Sequence, residues 1–210
     1  MTLVWALLLL LNLFLYASSR LMMYIRVVAL QGLLLGILGI YQHAGELAWS
    51  VLAVALLSTV IKAFLLPWFL ASTVQKTGIR REIVPLVGFG LSTVIGVAFL
   101  ALALVIAGHL DAVAGEEAVQ LLVVAFHTLL TGLFLCVARA QISSQAIGYL
   151  VMENGVFVAG MAFAGRSSVV AELGVLLDIS VAVFIMVAVI HHVRREFAGL
   201  DAANLTELRD

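Results

Sequence analysis

"GLFLCVARAQISSQAIGYLVMENGVFVAG" (Gly132–Gly160) sets two apolar runs either side of a short polar link. The first run ends near Arg139, and the second carries a single acid, Glu153, among apolar side chains, glycine and one asparagine. A water-facing helix would alternate such an apolar stripe with a charged one, and neither run does. Two oily helices joined by a tight turn are a membrane hairpin, and the rest of the chain has to be read on that footing.

The composition agrees. Of 210 residues, 64% are hydrophobic and 11% charged, with a mean hydropathy of +1.21. A soluble domain carries about a quarter charged residues, so too little polar side chain remains here to cover a surface in water. The bilayer is the expected solvent. A net charge of -1 offers no basic face for nucleic acid. Walker, GxGxxG and HExxH motifs are absent from the sequence.

Cys136 is the only cysteine, which rules out an internal disulfide and an iron–sulfur cluster built on several thiolates. Five histidines remain as possible haem ligands. His127 reads as mid-helix, His191 and His192 as a helix end, and His43 and His109 as loop residues, so their depths pair poorly. No metal, cofactor or redox group is expected.

Apolar runs near the roughly 20 residues that span a bilayer recur about seven times. They lie at Leu3–Ala17, Leu21–Tyr41, Leu47–Ser72, Ile83–Gly108, Ala118–Ala140, Ser144–Ala164 and Ser168–His191. The first run lacks the basic segment that opens a signal peptide, since Arg20 follows the run; it is expected to be a retained helix. Arg20, Lys76, Arg80, Arg81, Arg139, Arg194 and Arg195 fall in alternate connections or the tail. Positive charge stays on the cytoplasmic side. The expected fold is an all-α, polytopic membrane helix bundle with its N-terminus outside and its C-terminus cytoplasmic.

Asn12–Gly36 also resembles Gly132–Gly160, and each is followed by a helix with one central charge, Lys62 or Asp178. This suggests a three-helix unit over residues 1–75, a connector with the fourth helix over 76–115, and a second three-helix unit over 116–197. Residues 198–210 form a polar tail. Parallel repeats of this kind recur in membrane transport proteins.

The charges inside the runs are the candidate site. Glu153, Asp178, Lys62 and His127 fall near mid-membrane, with Gln31 close to centre and Glu172 nearer the outer end of the seventh run. A central Asp or Lys costs about 2.5–3.5 kcal/mol on insertion scales. Several at one depth must therefore face inward and meet partners or water. Ion-paired glue between helices is the bland reading; a hydrated ion route is the sharper one. A desolvated carboxyl gains proton affinity and a neighbouring ammonium opposes that, so such a group can be toggled. Pro67 lies five residues beyond Lys62, where its missing N–H and its ring free carbonyls about one turn back. Arg26 reads as a snorkelling side chain, the methionines as packing filler, and Trp49 as an interfacial residue.

"GYLVMENGVFVAG", followed by an acid-bearing last helix ending "HHVRRE", resembles the hydrogenase-4 component E family. These are membrane subunits of formate hydrogenlyase and related group 4 hydrogenase complexes. Their last three helices are similar to subunit K of complex I and to the C-type subunit of multisubunit sodium/proton antiporters. The resemblance implies a non-redox subunit in an inner membrane, beside antiporter-like and H-type membrane chains and a cytoplasmic hydrogenase or electron-input module. It implies that Glu153 takes the place of the first membrane glutamate of subunit K, on the proton route. Asp178, one methylene shorter, takes roughly the place of the second, and Glu172 competes for it. The asparagine of subunit K comes a turn after its glutamate, whereas Asn154 is adjacent. Lys62 has no counterpart in the three-helix subunit. A scaffold role, with the charges paired, is the alternative. A retinal protein would need its lysine on the last helix, and Lys62 is on the third.

Overall fold

Leucine-rich sequence without glycine or proline makes the first helix, α1 (Thr2–Ala17), which stops where "SSR" offers hydroxyls and charge in place of apolar side chains. A computed structural model of the chain describes residues 2–42, 56–76, 83, 85–110 and 116–163. The helix α2 (Leu21–Gln42) follows directly. A third helix is described from residue 56: it passes through a π-helical turn over Ile61–Leu65 and continues as α3 (Leu66–Lys76). Then come α4 (Phe89–His109), α5 (Glu116–Ala138) and α6 (Ile142–Phe163). Among the described residues the architecture is all-helical, with no strand; Pro85 and Arg139 form an isolated antiparallel bridge.

Among the described residues three helices are long and apolar enough to cross a membrane: Leu21–Tyr41, Phe89–His109 and Ala118–Ala138. Thr2–Ala17 and Leu56–Ser72 are shorter apolar helices. Large apolar side chains face outward along α4 (Val94, Val97, Leu104, Val105) and on the third helix (Phe64, Leu65, Trp68). Water would penalise that surface and acyl chains match it. The chain is a membrane protein.

The expected fourth run needs correction at its start. Ile83 is outside the helix, its N–H bonded to the Ser19 carbonyl at 2.9 Å, and α4 begins only at Phe89 after Gly88. Pro85 disfavours helix in the residue before it, and Leu86 donates instead to the Ala138 carbonyl. His109, expected in a loop, is the last residue of α4, its Nδ1 2.7 Å from the Val105 carbonyl. The seventh run, with Asp178 and Glu172, lies outside the described residues.

Packing within the bundle is tightest where glycines let backbones touch. In the α5–α6 hairpin a β-carbon on Gly132 would strike the Met152 backbone, and one on Gly148 would stand 2.8 Å from the Cys136 nitrogen. Two apolar clusters occupy the two ends of the core. One holds Leu15, Leu21, Val28, Leu66, Leu135 and Ile147; the other holds Leu8, Leu35, Leu38, Leu121, Val124 and Val158. Along four helices a polar residue falls between the clusters: Asn12 on α1, Gln31 on α2, Thr128 on α5, and Glu153 with Asn154 on α6. The polar layer is shared by these four helices.

Candidate functional site

Lys62 lies inside the π turn, and the sequence around it explains the turn. Pro67 has no N–H to donate back along the helix, and the helix widens just before it, the Leu66 N–H reaching the Ile61 carbonyl five residues back. Two further features seat Lys62. Gly32 of α2 lies against its backbone, where a β-carbon would stand 3.0 Å from the Lys62 carbonyl carbon, and the ammonium sits 4.6 Å from the Phe157 ring centroid.

The Lys62 Nζ is 2.7 Å from Glu153 Oε1, with both side chains buried, at 6% and 2% exposure. Glu153 is held to that position by the α5–α6 hairpin: a β-carbon on Gly155, two residues on, would stand 2.6 Å from the Leu129 nitrogen. An ion pair so desolvated is strong in geometry and costly to form, because two charges leave water together. Removing either partner would take from the other its counter-charge at 2.7 Å.

Beside the pair runs a chain of uncharged polar groups. Asn154 Nδ2 donates to Gln31 Oε1 at 3.5 Å, Gln31 Nε2 to Asn12 Oδ1 at 2.8 Å, and Asn12 Nδ2 to Thr128 Oγ1 at 2.7 Å. Thr128 in turn donates to the Val124 carbonyl of its own helix. One helical turn further along α1 and α5, Tyr16 Oη donates to Thr131 Oγ1 at 3.1 Å. The layer between the apolar clusters thus bonds α6 to α2, α2 to α1, and α1 to α5.

His127 is fully buried but does not join the pair. Its Nε2 lies 3.3 Å from the Gly96 carbonyl of α4, and its ring is stacked on Tyr16 with centroids 6.5 Å apart. A carbonyl only accepts, so Nε2 carries the proton, and no donor reaches Nδ1 among the described residues. Of the residues singled out from the sequence, Lys62 and Glu153 come together and Pro67 lies beside them. His127 stands across α5, and Asp178 and Glu172 lie outside the described residues. Arg26 is exposed, as a snorkelling side chain requires.

Several polar partners emerge only from the structure. Asn12 carries a signal in the sequence, being the lone amide in a leucine run. Thr128 and Thr131 carry none, since a threonine in an apolar helix can satisfy itself on the preceding turn. Arg139, a connection charge by sequence, is fully buried. Its contacts are Tyr24 Oη, the Val87 and Tyr16 carbonyls, and Ser92 Oγ.

No family model matches the chain. It is 28% identical over 187 residues to the uncharacterized protein Rv0085 of Mycobacterium tuberculosis, covering 89% of this chain and 85% of that one. It is 35% identical over 88 residues to hydrogenase-4 component E of Escherichia coli K12, covering 42% of this chain and 41% of that protein. The same identity and coverage hold for hydrogenase-4 component E of Shigella flexneri. No solved structure matches.

Proposed function

We propose that the chain is a non-redox membrane subunit of a complex I-like respiratory or group 4 hydrogenase complex, and that it provides part of a mid-membrane proton path. The observation that carries this reading is the buried Lys62–Glu153 pair at 2.7 Å, flanked by a continuous polar layer. The similarity to hydrogenase-4 component E over part of the chain supports membership of such a complex. In this reading Glu153 holds the proton, Lys62 sets how tightly, and the carboxamides keep the layer polar. Amides donate and accept without carrying net charge, so the charge-bearing steps belong to Glu153, Lys62 and ordered water. Asp178, or Glu172, continues the route in the second three-helix unit. The same reading has about seven spans in a prokaryotic inner membrane, with the N-terminus outside and the C-terminus cytoplasmic. Antiporter-like and H-type membrane chains are the neighbours, and a cytoplasmic hydrogenase or electron-input module supplies the redox chemistry.

The test is Glu153→Gln in the assembled complex. Assembly should be retained while the protons moved per electron pair fall several-fold. Unchanged coupling would remove the proposal.

A second reading, a scaffold whose charges are paired, has the completeness of that ion pair in its favour. It expects a Lys62→Met/Glu153→Leu double variant to pump normally, because apolar residues can replace a buried pair without loss. The proton-path reading expects that double variant to be uncoupled.

A further inference from the structure

Arg139 links α5 to α6, in a segment whose sequence reads as a solvated turn, yet the side chain is fully buried. Its Nε donates to Tyr24 Oη at 3.3 Å. Its Nη1 donates to the Val87 carbonyl at 3.1 Å and to Ser92 Oγ at 3.4 Å, and its Nη2 to the Tyr16 carbonyl at 3.3 Å. The Phe89 and Phe134 rings cover it, with centroids 5.0 and 5.8 Å away. Every acceptor is neutral, and among the described residues no carboxylate forms an ion pair with it. Among the described residues, then, a full positive charge is held out of water by neutral acceptors alone, which is costly in any low-dielectric interior. A staple between these backbone groups does not need that charge; neutral donors would serve.

Its position suggests what the charge is for. From Lys62–Glu153 the polar layer leads through Asn154, Gln31 and Asn12 to Thr128. A separate polar pair, Tyr16 and Thr131, lies a turn further on, and the Tyr16 carbonyl is an Arg139 acceptor. The ladder covers roughly 16 Å, taking 1.5 Å per residue along α6 from Glu153 to its first turn. It ends at the basic end of the bundle, on the guanidinium. If Glu153 and Lys62 lie on a proton route, as proposed above, a hydrated ladder open at that end would be a leak. A fixed positive charge closes it: at roughly 10 Å and an effective dielectric of about 20, a second cation is disfavoured about 15-fold. Pores that must reject protons and cations use the same device.

We propose that Arg139 is an electrostatic plug that closes the basic end of the polar ladder to hydronium and metal cations. This inference rests on the proton-path reading. Its test is passive proton leak in vesicles carrying the whole complex, with turnover off and a pH step imposed. Arg139→Lys keeps the charge and should leak at the rate of the unaltered complex. Arg139→Met removes the charge, and Ser92→Asp keeps the guanidinium but sets a carboxylate beside Nη1; each should leak about ten-fold faster. A role confined to stapling could also separate Lys from Met, since Met donates no hydrogen bond, but it would not make Ser92→Asp leaky, so Ser92→Asp carries the decision. If Arg139→Met does not assemble, Ser92→Asp decides alone. Assembled vesicles as tight as the unaltered ones with either variant overturn the plug. Glu153→Gln in the same vesicles, read as coupling during turnover, tests the route separately. Lost coupling there with tight Arg139→Met vesicles rejects the plug and keeps the route, and the reverse pattern rejects the route.

Discussion

Gly32 is in backbone contact with Lys62, its missing β-carbon leaving room for the π turn to lie against α2. The contact fixes how far the lysine stem stands from α2 and, through it, where the ammonium meets Glu153. A methyl group there would stand 3.0–3.1 Å from Lys62 and Ala63, so a shift of a few tenths of an ångström accommodates Gly32→Ala. Gly32→Val demands more, with an overpacking cost of about 1–3 kcal/mol. Gly32→Ala should keep near-normal chain levels and coupling, whereas Gly32→Val should reproduce the coupling loss of a Lys62 truncation. Immunoblots of membranes together with proton-to-electron ratios would check both.

The ion pair itself predicts strong non-additivity. Lys62→Met and Glu153→Leu each leave one charge of the pair without its 2.7 Å partner, which costs about 3–5 kcal/mol. The double variant leaves none and should lie well below the sum of the two, with a coupling term of at least about 2 kcal/mol. Denaturant midpoints of the complex in detergent measure all three. Additive losses would mean that the two charges do not sense each other.

How much of this is legible in the sequence depends on what kind of signal each residue sends. Lys62 and Glu153 stand out because a charge in an apolar run has no cheap solvent, and that cost is a property of the sequence alone. Pro67 announces a disturbed turn for the same local reason, since the missing N–H is covalent. The start of α4 is not legible, because Ile83 extends an apolar run by composition while its N–H is committed to Ser19 on a distant link. Arg139 cannot be read either. A connection arginine is usually solvated, and only the closing of α1, α4 and the 85–88 segment over it takes it out of water. Tertiary burial of that kind leaves no trace in hydropathy.

The polar layer predicts a rank order. Gln31 is bonded on both sides, at 2.8 and 3.5 Å, while Asn154 makes a single long side-chain bond among the described residues. Gln31→Leu should therefore destabilise more than Asn154→Leu, by about 1–3 kcal/mol, because it strips a partner from both Asn12 and Asn154. Asn12→Leu should fall near Gln31→Leu, since it orphans the Gln31 amide although Thr128 keeps its Val124 carbonyl. Thermal unfolding in detergent gives the order, and Asn154→Leu proving the most costly would contradict it.

The π turn makes the sharpest prediction. A π-helical turn is one residue more than an α-helix needs, so it acts as an insertion that rotates the two flanking helical stretches against each other. On one side Thr59, Lys62 and Ala63 are held against Gly36 and Gly32 of α2; on the other Leu66, Leu70 and Val74 sit in the apolar cluster. Both seats are filled only with the extra residue present. Deleting Phe64, whose side chain points out of the bundle at 61% exposure, would restore α geometry and turn one stretch by about 100° relative to the other. Either Lys62 leaves Glu153 or the Leu66 seat empties. Coupling or chain level should fall sharply, although the lost side chain makes almost no buried contact. Phe64→Leu, which keeps the residue count, should stay within about 0.5 kcal/mol of the unaltered protein. A deletion as mild as the substitution would mean that the turn slides freely, and that Lys62 is not held at Glu153 by the helix that carries it.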